Sequence, residues 1–318
     1  MMNNLDHIYK KIKQSDSIVI FGHVLPDGDC YGSQIGLREI IKDTFPNKKV
    51  YAVGTGIPNL FSRLAPMDEV SDEIIRSSLA ILIDASDCSR SEDSRITTAS
   101  SILKIDHHIE GVSFDELKWV DVNSIAACQM VAEFAESYRM KISKLAAECL
   151  FVGIITDSGR FMYPPTNEKT HSIVASLYHL GVDSKSLFDI LYQVDENSFR
   201  YKGYLSTHYT KTERGVLFIY VPKEIYHSFD LTFDKASGLV NVFSNIKGCP
   251  IWSLFTENED GTIRVELRSS GVCVQKVAVQ FSGGGHRQAS GAKLPGGGLS
   301  SVMKVVDALD QLLESEGK

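Results

Sequence analysis

The sequence predicts an α/β protein, a parallel doubly wound sheet domain followed by a smaller α+β domain. Three observations predict it. Through the first two-thirds, short β-branched runs alternate with helical patterns; a second series of strand-like runs begins near residue 213; and 318 residues exceed the roughly 100–200 of one ordinary domain.

The first strand is SIVIFG (17–22), an apolar run closed by glycine, and a helix follows from about Tyr31 to Phe45. KVYAV (49–53), LAILID (79–84) and SILKID (101–106) repeat the pattern, each apolar enough to be buried on both faces of a parallel sheet. Helical stretches follow at 124–140 and 143–156, the second apolar on most faces and therefore buried. Helix 167–180 stops at Gly181, a residue suited to the left-handed position after a helix end. These elements define a first domain over 1–195, and a polar stretch beginning DENS (195–198) introduces a connector over 196–212. The second domain, 213–318, has strands GVLFIYV (215–221), CPIWSLF (249–255) and TIRVELR (262–268), then helical VQKVAVQF (274–281), a glycine loop and a last helix over 301–314.

Composition narrows the function. No apolar run approaches the ~18 residues a membrane helix needs. The start, MMNNLDHIYKKIKQSD, has no secretory apolar core, so a cytoplasmic location is expected. Six scattered cysteines without C-x-x-C spacing read as free thiols, which disfavours structural zinc. A net charge of −7 argues against a groove for long nucleic acid but not against a small nucleotide.

Acidic and histidine residues collect at the ends of three strands, in FGHVLPDGDCYGS (21–33), LIDASD (82–87) and KIDHHIEG (104–111). In an open parallel sheet those ends form the ligand crevice. His23, Asp27, Asp29, Asp84, Asp106, His107 and His108 should meet there, joined by Asp157 from the end of a buried helix. Taken singly, Asp27-x-Asp29 is a helix cap and Asp84 a turn residue. Four such fragments, with no lysine among the carboxylates, would repel without cations between them, so a metal site is expected. The H-x-x-x-D-x-D spacing suits two divalent ions. Imidazole and carboxylate without thiolate favour Mn2+, with Mg2+, Fe2+ or Co2+ as alternatives. In the second domain, Gly283-Gly284-Gly285 would let backbone N–H groups approach an anion, although no P-loop pattern is present.

The Asp106-His107-His108 triplet resembles the motif of the DHH phosphoesterase superfamily, and HVLPDGDCYGS, LIDASDCSR and GIITDSGRFMYPPTNEKTH (153–171) resemble its other metal motifs. RVELRSSG (264–271) followed by FSGGGHRQASGA (281–292) resembles the GGGH-type DHH-associated domain. The resemblance spans nearly the whole chain, and the short two-domain layout is most similar to the NrnA-type branch. Family II pyrophosphatases lack GGGH, and RecJ-like exonucleases carry further domains. By this resemblance His23 and Asp27 bind one metal, Asp29, His107 and Asp157 the other, and Asp84 bridges them. Asp106 orients the histidines, His108 faces the scissile phosphate, and Arg268, Ser269, Gly283, Gly284, Gly285 and His286 bind substrate.

The implied activity is metal-dependent hydrolysis of oligoribonucleotides of about two to five nucleotides, with no basic track for longer ones, to 5′-mononucleotides. Removal of the 3′-phosphate of 3′-phosphoadenosine-5′-phosphate (PAP) accompanies it. A cyclic-dinucleotide phosphodiesterase (c-di-AMP or pApA) shares every motif; a nucleotide-binding regulatory module would ordinarily have lost a ligand. No membrane partner is implied, and a homodimer is compatible with the sequence. Cys30 departs from the family pattern beside a ligand, which raises oxidation sensitivity against the plainer reading of a small buried thiol.

Overall fold

The structure, a computed structural model, describes residues 4–109 and 117–317; Glu110 and Gly111, which close the KIDHHIEG stretch, lie outside the described residues. The chain divides into two compact units, Met1–Gln193 and Val194–Lys318.

In chain order the first unit contains α1 (Asn4–Gln14), β1 (Ser17–Phe21), α2 (Gly28–Thr44), β2 (Lys49–Val53), α3 (Pro58–Phe61), α4 (Asp72–Ser77), β3 (Leu79–Ile83), β4 (Ser101–Asp106), β5 (Leu117–Val120), α5 (Ala127–Ser137), α6 (Lys144–Asp157), α7 (Glu168–His179) and α8 (Ser184–Tyr192). The sheet is parallel throughout, in the order β2-β1-β3-β4-β5. The expected doubly wound architecture is therefore present. The chain leaves β1 toward β2 and returns past it to β3, so β1 and β3 flank the topological switch point, where open α/β sheets bind ligands. The strands are apolar on both faces because both are covered: Ile18, Ile20, Ile81 and Ile83 join one core, and Val19, Phe21, Ala80 and Leu82 the other.

Helices α2 and α6 pack at unusually close range because glycines face the contact. A Cβ at Gly32 would lie 2.3 Å from the Cys149 carbonyl oxygen, and one at Gly153 would lie 2.7 Å from Asp29 Oδ1. The ends of these two helices carry Asp29 and Asp157, so this packing brings the two carboxylates to one place.

The second unit contains α9 (Glu196–His208), β6 (Thr210–Lys211), β7 (Val216–Val221), α10 (Lys223–His227), α11 (Phe233–Ser237), β8 (Ile251–Glu257), β9 (Ile263–Ser269), α12 (Gln275–Gln280), β10 (Gly284–Gly285), β11 (Ala289–Leu294) and α13 (Gly298–Ser315). Its mixed sheet runs β10-β11-β9-β8-β7-β6, with only β7 and β8 parallel among the described pairs. Val302, Val305, Val306 and Leu309 of α13 cover one face; Tyr201 and Leu205 of α9 pack on the other with Tyr226 and Phe243. Thus 196–208, read from the sequence as connector, is a helix with buried side chains. The polar DENS stretch is its cap, with Asp195 accepting from the Ser198 N–H at 2.8 Å. Among the described residues no helix is long and apolar enough to cross a membrane.

Candidate metal centre

His23 follows β1 and is held by a bridge to Ser91, with the Val24 N–H donating to the Arg90 carbonyl at 2.9 Å. Its Nδ1 lies 2.9 Å from the Val24 carbonyl, leaving Nε2 to face 3.6 Å to Asp84 Oδ2 and 3.8 Å to Asp27 Oδ1. Asp27 caps α2: its Oδ1 accepts from the N–H groups of Asp29 and Cys30, both at 3.0 Å. The plain capping reading of Asp27 therefore holds alongside its place next to His23.

Asp84 ends β3 in a left-handed conformation, φ 55°, a region in which aspartate is enriched among non-glycine residues. Its N–H donates to the Ile105 carbonyl at 3.0 Å, and its side chain is buried. Asp84 Oδ1 lies 3.3 Å from His107 Nε2 and 3.6 Å from His108 Nδ1, so this carboxylate stands between all three histidines.

Asp106, the last residue of β4, is fully buried, and its Oδ1 accepts from His108 Nδ1 at 2.9 Å and from the His108 N–H at 3.2 Å. His107 Nδ1 lies 3.2 Å from the Ser124 carbonyl. Its Nε2 faces Asp84, Asp157 Oδ2 at 3.4 Å and Asp29 Oδ2 at 3.7 Å. Asp29, in the first turn of α2, is buried and accepts from the N–H groups of Ala127 (2.6 Å) and Cys128 (2.8 Å). It thereby caps α5, whose own N-cap residue, Ala126, has no capping side chain. After Asp157, three consecutive left-handed residues, Gly159, Arg160 and Phe161, turn the chain, and the Arg160 guanidinium lies over the Tyr192 ring rather than in the cluster.

Burial opposes charge on His23 and His107, but the adjacent carboxylates outweigh it. Asp27 and Asp84 raise His23 well above the usual imidazole range, and Asp84 leads in raising His107 to about 10. Burial, reinforced by Asp84, lifts Asp29 to about 7; burial and Asp29 likewise lift Asp157 well above the carboxylate range. For Asp84, burial is outweighed by His107 and His23, which hold it below its ordinary value.

Three groups of donor atoms lie within 4.8 Å of one another: Asp29, His107 and Asp157; Asp84, His107 and His108; His23, Cys30 and Asp84. Asp27 and Asp106 fall outside them. Cys30 was not anticipated as a donor; burial pushes its thiol up to about 12, so it stays protonated and a poor ligand. His107 Nε2 and Asp84 Oδ1 are buried with no hydrogen-bond partner, an arrangement that is costly unless something binds between them. The donor set fits a divalent cation.

In the second unit, Arg268 is partly exposed on β9, with Nη1 3.1 Å from Glu266 Oε2 and 2.9 Å from the Leu267 carbonyl. Two members of the expected substrate-binding set already donate within the unit. The Ser269 hydroxyl is buried and donates to the Val272 carbonyl at 2.5 Å, and the Gly283 N–H donates to the Ala278 carbonyl at 2.8 Å. Both donors are already committed. Gly283 and Gly285 are glycines because β11 is close: added Cβ atoms would lie 2.1 Å from the Gly291 oxygen and 2.7 Å from the Ala289 oxygen. A Cβ on Gly284 would meet nothing within 4 Å, and the His286 side chain is exposed.

A model of the DHH family, N-terminal domain, matches residues 17–154, ending just before Asp157, and a DHHA1 domain model matches 215–315. The bifunctional oligoribonuclease and PAP phosphatase NrnA of Bacillus subtilis (strain 168) is 36% identical over 290 residues, 90% of this chain and 92% of the relative. The protein of the same name from Mycoplasma genitalium is 36% identical over 287 residues, 88% and 89% of the two chains. Among solved structures, an exopolyphosphatase-related protein from Bacteroides fragilis superposes with a TM-score of 0.85 at 26% identity, covering 98% of this chain and 96% of that one.

Proposed function

The chain belongs to the DHH family, and from that premise we propose that it is a two-metal phosphoesterase that hydrolyses short oligoribonucleotides to 5′-mononucleotides and removes the 3′-phosphate of PAP. The observation that carries the reading is the cluster of imidazole and carboxylate donors at the β1/β3 switch point, built around the buried Asp29 and Asp84, with the buried atoms His107 Nε2 and Asp84 Oδ1 left without partners. The names of the two NrnA relatives, each similar over nine-tenths or so of this chain, support the substrate class.

His23 and Asp27 would hold one ion, Asp29, His107 and Asp157 the other, and Asp84 both. Four carboxylates match the charge of two divalent cations, and Mn2+ is the first choice for this donor set. When bound, such ions acidify a water and polarise the phosphate. His108, held by Asp106, would present its remaining ring nitrogen to the phosphate. Arg268, Ser269, the backbone of Gly283, Gly284 and Gly285, and His286 would take the nucleoside and its 5′-phosphate. Both substrates require cleavage of a P–O3′ bond beside a 5′-phosphorylated nucleoside, so one set of groups serves both.

The test is a panel of PAP, linear di- to pentanucleotides and cyclic dinucleotides, assayed with Mn2+. Turnover of PAP and linear dinucleotides is expected. Turnover of cyclic dinucleotides alone would replace this reading with the cyclic-dinucleotide one, and binding of all without turnover would make the chain a regulatory module.

A further inference from the structure

Lys104 lies in the middle of the apolar run of β4 and is fully buried, the only buried lysine among the described residues. Its Nζ donates to the Ser86 carbonyl at 2.8 Å and lies 3.8 Å from Asp106 Oδ2, itself fully buried and without a hydrogen-bond partner. Lys104 and Asp106 share a face of the strand by their two-residue spacing. Ser86 is two residues beyond Asp84, whose left-handed backbone needs holding. Burying a charge here is costly, and an apolar side chain would complete the core more cheaply. Lys104 opens the KIDHHIEG stretch, and the fold places its side chain behind the clustered carboxylates.

We propose that Lys104 is a positioning residue: it ties the loop carrying Asp84 to the end of β4 and fixes Asp106, which in turn orients His108. This rests on the proposed phosphoesterase reading. Lys104 touches no substrate. It sets where Asp84 and the His108 ring stand relative to each other, 3.6 Å apart across Nδ1 and Oδ1.

The experiment has two arms. In the first, Lys104→Met is expected to lower kcat on a dinucleotide about tenfold or more, the range for groups that orient a metal site, while KM moves less than about twofold. Lys104→Arg, which keeps charge and donors, should recover part of that rate. A folded Lys104→Met or Lys104→Gln protein with kcat within about twofold of wild type overturns the proposal. In the second arm, nitrogen NMR of metal-free wild type should show His108 Nδ1 carrying a slowly exchanging proton; a ring averaging between tautomers overturns the proposal even if no variant folds. If wild type hydrolyses nothing in the panel, the phosphoesterase reading fails, while the NMR arm still decides whether Asp106 fixes the His108 ring, the link through which Lys104 would act.

Discussion

At Asp84 two demands coincide, a left-handed backbone and a carboxylate shared among histidines, and substitution can separate them. Asparagine tolerates that conformation and keeps the volume, so Asp84→Asn should fold with near-normal thermal stability yet lose metal and turnover by orders of magnitude. Two bound ions and near-normal rate in Asp84→Asn would remove Asp84 from the centre. The raised pKa values of His23 and His107 supply a second prediction. A raised histidine contributes stability at low pH, and for His107 that contribution is lost as pH rises through about 10. Both rings must shed their protons to ligate, so metal uptake near pH 7 should release protons and tighten as pH rises. Calorimetry in buffers of different ionisation enthalpy reads the number released; zero would contradict it. At this scale, the co-location of His23, Asp29, Asp84, His107 and Asp157 was legible because strand ends in a parallel sheet converge. The capping of α5 by Asp29 was not, because 98 residues separate the partners. That the Ser269 hydroxyl and the Gly283 N–H donate to the Val272 and Ala278 carbonyls was not legible, because a motif names residues without saying which backbone oxygens their donors serve.

The Gly283–Gly285 triplet, which leads into and forms β10, lets packing and recognition be tested separately among three identical residues. Gly283→Ala must push against the Gly291 oxygen and should cost about 1–3 kcal/mol, as overpacking does. Gly284→Ala has open space and should change stability by less than about 0.5 kcal/mol. If a phosphate approaches that backbone, Gly284→Ala should nonetheless raise KM; unchanged KM in the stable variant would leave the glycines purely structural. The first four strands and the α6 helix could be read from apolar runs. The short β5 and β11 could not: LKWV mixes polar and apolar positions, and ASGAKL is rich in small residues, so their pairing with β4 and β9 decides them. Residues 184–212 read as a connecting helix and linker, and the extent of α9 was obscured because the Asp-x-x-Ser cap at its start has the composition of a linker.

For the molecule as a whole, charge yields an expectation about substrate length. With a net −7 and no basic stripe in the sequence to follow a backbone, turnover should fall steeply beyond about five nucleotides, and added salt should change KM only weakly. Efficient digestion of strands tens of nucleotides long would refute this. The tight α2–α6 contact has one further consequence. Because Asp29 and Asp157 ride on those two helices, a methyl group at Gly32, which would press on the Cys149 carbonyl of α6, should move the two carboxylates apart. Mg2+ demands ligands at about 2.0–2.1 Å and tolerates little change, whereas larger ions are more forgiving. If Asp29 and Asp157 hold an ion as proposed, Gly32→Ala, which alters neither carboxylate, should shift activation from Mg2+ toward larger cations, and an unchanged metal preference in that variant would show that the α2–α6 spacing does not tune the site.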